Sequence, residues 1–77
     1  MGHFSVRVMY DNGKPARDIG VMVYYDGFLA GFEEKRTHSD GWVEFHNREN
    51  KSGTIWVHGH KMGSHSLDDG KTYSFTI

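Results

Sequence analysis

Apolar residues recur at every second position along most of this chain, and Asn-Gly or Asp-Gly pairs punctuate the alternation. From Phe4 to Tyr10 the set Phe4, Val6, Val8 and Tyr10 alternates with Ser5, Arg7 and Met9, a period of two that marks a strand with one buried face. Ile19, Val21 and Val23 repeat the pattern, with Gly20, Met22 and Tyr24 on the opposite face. Because both faces there carry apolar groups, this strand is expected to be central or covered on its outer side. Further strands are predicted where Val43 and Phe45 alternate with Trp42, Glu44 and His46, at Thr54 to His58 with Ile55 and Val57 in phase, and at Thr72 to Ile77 with Tyr73, Phe75 and Ile77 in phase. Two segments carry less pattern. Phe28 to Thr37 is interrupted at Gly31 and holds Glu33-Glu34-Lys35-Arg36, which reads as an edge strand running out into solvent. Lys61 to Ser66 has little alternation, Asn47 to Ser52 reads as a polar loop, and no segment shows the helical period.

The pairs Asn12-Gly13, Asp26-Gly27, Asp40-Gly41 and Asp69-Gly70 supply the positive φ angles that tight turns demand. Six or seven short strands separated by such turns predict an all-β fold, a small two-sheet β-sandwich of about seven strands in which residues 1–77 form one domain. Its expected core is the in-phase set Val6, Val8, Val21, Val23, Val43, Phe45, Ile55, Val57 and Phe75.

Composition then excludes several classes. With 77 residues there is no room for a second lobe. The absence of Cys removes disulfides and thiolate metal sites as sources of stability. Nine Lys and Arg against ten Asp and Glu give a formal net charge of -1, whereas a nucleic-acid binder needs a basic face. No apolar run has the length of a membrane span or a signal peptide, so neither nucleic acid nor membrane is an expected partner. Absence of Cys fits either side of a membrane, and compartment stays open.

Four segments together resemble a known family. They are Val6-Arg7-Val8-Met9-Tyr10-Asp11-Asn12-Gly13-Lys14-Pro15-Ala16, Val21-Met22-Val23, Thr37-His38-Ser39-Asp40-Gly41-Trp42-Val43-Glu44-Phe45 and Asp69-Gly70-Lys71-Thr72-Tyr73-Ser74-Phe75-Thr76-Ile77, and they resemble the carboxypeptidase regulatory-like domain. A strand followed by D-x-G-x-P, and later T-x-x-D-G-x-V-x-F, is the recurrent pairing in that family. The closing P-G-x-Y departs here to Gly70-Lys71-Thr72-Tyr73, without Pro and one residue longer. The resemblance implies a transthyretin-like, or prealbumin-like, seven-stranded β-sandwich. It also implies a non-catalytic role as an enzyme's companion domain, a spacer, or a binder of sugars or partners, and it supplies no catalytic residues.

Two constellations could carry chemistry. Trp42 and Trp56 have the opposite parity to Val43/Phe45 and Ile55/Val57, so with the latter inward both indoles lie outside, as do Met22 and Tyr24 on their own strand. Trp42, Trp56, Tyr24 and Met22 therefore form a candidate protein-binding or carbohydrate-binding face, or a surface for homo-oligomers, with the two indoles expected side by side. The alternative is reversed parity, with the Trp residues in the core. The second constellation is His58, His60 and His65: on a strand His58 and His60 share a face, and a turn at Met62 to Ser64 would return His65 beside them to hold Zn, Cu or Ni. The alternative there is three surface histidines on a Gly-rich loop. Nothing resembles a nucleophile elbow, a phosphate loop or a paired-carboxylate cleft, and a sandwich this short is not expected to enclose a pocket of a few hundred Å3. The sequence thus predicts a non-enzymatic binding or structural module whose fold needs no metal and no cofactor.

Overall fold

The computed structural model describes residues 3–27, 31–46 and 52–77. These form seven strands: β1 (His3–Met9), β2 (Gly20–Tyr25), β3 (Phe32–Arg36), β4 (Trp42–His46), β5 (Ser52–Val57), β6 (His60–Ser66) and β7 (Thr72–Thr76). They make a two-sheet β-sandwich, with a three-stranded sheet in the order β4-β1-β7 facing a four-stranded sheet in the order β3-β2-β5-β6. All neighbours are antiparallel except β1 and β7, which run parallel. The first four residues of the segment Phe28 to Thr37 include Phe28 to Ala30, which lie outside the described residues, as does most of the loop Asn47 to Ser52.

Alternation sets the register. Val6 pairs with Val43 and Phe4 with Phe45 across β1 and β4, while Val21 pairs with Val57 and Val23 with Ile55 across β2 and β5. All eight are buried between the sheets, with Ala16, Ile19, Tyr25 and Leu67 beside them. Two expectations are corrected. Phe75 is only half-buried, because β7 is an edge strand and its inner face looks out of the sandwich along one side. Tyr10 is 40% exposed, since β1 ends at Met9 and Tyr10 instead heads the turn, its carbonyl accepting from Gly13 N.

Two residues of the T-x-x-D-G segment join this loop to the turn after β3. Thr37 is buried, and its hydroxyl donates to the Ala16 carbonyl at 2.6 Å while accepting from Ile19 N at 2.9 Å. That satisfies a buried side chain whose unpaired burial would cost about 1–3 kcal/mol. Gly41 has φ of 79°, and a Cβ there would stand 2.5 Å from the Val8 carbonyl oxygen. Only glycine meets both constraints.

Both weakly patterned segments form edge strands. In β3, Lys35 pairs with Val21 and Glu33 with Val23, so these two charges point toward the core side rather than into open solvent. In β6 a bulge explains the missing alternation: Thr54 pairs with Ser64 but Trp56 pairs with Lys61, leaving Met62 and Gly63 opposite Ile55. Gly63 takes φ of 97° there, the conformation a bulge asks of glycine.

Candidate functional site

Outward parity holds for both tryptophans, but they belong to different sheets. Trp42 lies on β4, paired with Arg7 on the outer face of the three-stranded sheet, and the Arg7 guanidinium sits 5.7 Å from its ring centroid. Trp56 lies on β5, paired with Met22 on the outer face of the four-stranded sheet. The expectation that the two indoles adjoin on one face is therefore corrected. Parity gives the side of a strand, whereas sheet membership depends on long-range pairing that no local pattern contains.

Around Trp56 the other candidates do converge. Met22 is its cross-strand partner, and Tyr24, one pleat along β2, sits against it edge-on with ring centroids 6.5 Å apart. Tyr24 also pairs with Phe32 of β3, at 5.2 Å between centroids. Phe32, Tyr24, Met22 and Trp56 thus make one strip across three strands. Phe32 is 54% exposed and Tyr24 42%, while Met22 and Trp56 are half-buried beneath their neighbours. The rim is polar: Glu34 and Arg36 continue β3 on the same face, and Thr54 and Ser64 face each other with hydroxyls 3.5 Å apart. Phe32 was not singled out in the sequence because β3 showed so little periodicity; its pairing with Tyr24 is what exposes its role.

The outer face of the other sheet is mostly polar, carrying His3, Ser5, Arg7, Glu44, His46, Thr72 and Ser74 around Trp42. Beside Trp42 an open groove of about 600 Å3 runs between Lys35 and Arg36 of β3 and Trp42 to Glu44 of β4, with His38 and Asp40 at its end. The groove is open to solvent and lies along the sandwich edge rather than inside it.

The histidines separate. His58 and Gly59, with φ of 51° and 80°, are the central pair of the turn joining β5 to β6, the left-handed geometry of a type I′ hairpin. His58 is therefore a turn residue rather than a strand residue, and its ring lies 6.5 Å from that of His60. His65 does not return beside them, because Met62 to Ser64 continue β6 instead of turning. Five residues of strand carry it roughly 16 Å from His60. Its ring contacts Tyr73 at 5.4 Å and Phe75 at 5.6 Å, between the sheets. Among the described residues no three His, Asp or Glu side chains converge as a metal-binding group.

No family model, curated protein or solved structure matches this chain.

Proposed function

We propose that this chain is a non-enzymatic binding module of the transthyretin-like kind that its turn motifs resemble, and that it holds a protein or carbohydrate partner on the outer face of its four-stranded sheet. The observation that carries the reading is the strip of Phe32, Tyr24, Met22 and Trp56, whose two most exposed rings adjoin. Aromatic rings standing in water on a sheet that otherwise presents Glu, Arg, Thr and Ser keep a hydrophobic free energy of association of about 25 cal/mol per Å2 in reserve. Tyr and Trp also combine apolar area with a polar handle, which suits them to partner surfaces and to sugar rings. The seven-stranded sandwich agrees with the family resemblance. A non-catalytic reading is supported by the strand alternation around His65, which faces between the sheets while Ser64 faces outward opposite Thr54.

The test is a paired comparison of the two outer faces. Tyr24→Ser with Phe32→Ser is expected to abolish concentration-dependent sedimentation, or retention on an immobilised oligosaccharide panel, by tenfold or more, with the melting temperature within about 5 °C of wild type. Trp42→Ser is expected to leave association unchanged. Association that survives the double substitution, or that is lost in Trp42→Ser alone, refutes the assignment of the face.

A further inference from the structure

At the end of the three-stranded sheet, His3 of β1 and His46 of β4 are direct cross-strand partners, with ring centroids 4.5 Å apart. Both side chains are exposed, and both lie on the outer face, away from the aromatic strip. We propose that this pair is a surface binding site for a divalent copper ion, held by one nitrogen from each imidazole and otherwise by water.

Strand register provides the preorganisation. Directly opposed residues in an antiparallel pair hold their Cβ atoms about 5 Å apart, and here the pair is anchored on both sides. Phe4 and Phe45, the next residues inward, are both buried and stack at 5.5 Å. His3 is further tied to the turn before β7, its N–H donating to Asp69 Oδ1 at 2.9 Å and its carbonyl accepting from Gly70 N at 2.7 Å. A pair of ligands whose backbones are already fixed loses less entropy on binding than two free imidazoles do.

Ring spacing admits one ion between the two imidazoles. With a metal–nitrogen distance near 2.0 Å, an imidazole centroid stands about 3.2 Å from the ion, so two rings at a right angle are about 4.5 Å apart and two at the tetrahedral angle about 5.2 Å. The observed 4.5 Å is close enough for both rings to reach one ion, and among the divalent ions that imidazoles take, Ni(II) and Cu(II) stand highest in affinity. Copper binds the tighter of the two in the divalent series. The 6.5 Å spacing of His58 and His60 matches neither geometry. Glu44 adds a negative charge one pleat along β4 on the same face, opposite Ser5, and Asp69 adds another next to the His3 backbone. A cation placed here is therefore met by local carboxylates. Because each imidazole must be neutral to ligate, acidification is expected to release the ion.

The experiment titrates Cu2+ into four proteins: wild type, His3→Gln, His46→Gln, and His58→Gln with His60→Gln. One ion per chain is expected in wild type and in the His58/His60 double variant, with affinity falling at least about tenfold in each of the other two. Independently of any variant, substoichiometric Cu2+ added to wild type is expected to broaden the ring resonances of His3 and His46 first, and the electron spin resonance spectrum to show coupling to two imidazole nitrogens. Copper binding that persists in His46→Gln, or that disappears with His58 and His60, or broadening centred on any other histidine, overturns the proposal.

Discussion

The two open sides of this sandwich are closed in different ways. Along one side the edge strands β3 and β4 meet through polar groups: Lys35 donates from Nζ to the Glu44 carbonyl at 3.0 Å, and the Tyr25 hydroxyl donates to Glu33 Oε1 at 2.8 Å and approaches the His46 carbonyl at 3.3 Å. Lys35 lays its stem inward, its ammonium 5.5 Å from the Phe45 ring, and so covers core while its charge reaches an unpaired edge carbonyl. Along the other side β6 and β7 meet through half-buried Met62, His65, Tyr73, Phe75 and Ile77. There a polar tie comes from Tyr73, whose hydroxyl donates to the Ser66 carbonyl and accepts from Asp68 N. A small core can thus be sealed either by long charged side chains turned inward, which also discourages edge-to-edge pairing, or by aromatics left partly wet. The first solution keeps Tyr25 at 5% exposure, whereas the second leaves Phe75 partly in water.

The contrast predicts unequal losses. Tyr25→Ala is expected to cost about 4 kcal/mol, the range for a buried aromatic, and Phe75→Ala less, about 2–3 kcal/mol, because part of its surface stays in water. Urea unfolding of the two variants measures this, and equal losses would dissolve the distinction between the sides. Gly53→Ala sharpens it from the interior: a Cβ there would stand 2.6 Å from the Tyr24 carbonyl and 3.1 Å from Leu67 Cδ1, beneath the β6 side. Overpacking of that kind costs about 2 kcal/mol. Gly20→Ala has only the Glu34 carboxylate nearby, at 3.8 Å, and is expected to be neutral or stabilising by about 0.5 kcal/mol. Lys35→Ala is likewise expected to have a small effect, a loss of about 0.5–1 kcal/mol for one exposed hydrogen bond and its stem. A rise in aggregation on storage should accompany it, since the β3/β4 edges lose a guard; light scattering unchanged from wild type would mean that the charge protects nothing.

Central strands were more legible in the sequence than edges. β1, β2 and β5 each have neighbours on both sides and one face against the core, so burial imposes the period of two that Val6, Val8, Val21, Val23, Ile55 and Val57 display. The edges answer to other demands. Glu33 and Lys35 occupy inward positions that alternation reserves for apolar groups, and in β6 the extra residue at the bulge shifts the parity, so that Lys61 and Ser64, three apart, share one face. Leu67 escaped notice because it follows β6 rather than lying in a strand, yet it is fully buried over Gly53. Of the candidate residues, Met22, Tyr24 and Trp56 were legible together because two strands that pair directly carry them. Trp42 was misplaced beside them, and His3 with His46 was missed, because both relationships depend on which strand lies next to β1. That information is separated by some forty residues of chain.

The parallel pairing of β1 with β7 also has a consequence for how the chain assembles. β1 is the middle strand of its sheet, and its partner Phe75 stands 67 residues after Val8, nearly the greatest separation this chain allows. During synthesis the four-stranded sheet, with its local hairpins β2-β3 and β5-β6, is complete in sequence before β7 has left the ribosome. The β1 strand keeps one flank open until β7 arrives. Closing so long a loop adds an entropic barrier that grows with the logarithm of its length, and topologies dominated by such distant pairings fold in milliseconds to seconds rather than microseconds. In the nascent protein the vulnerable surface is therefore the flank of β1 that β7 will cover.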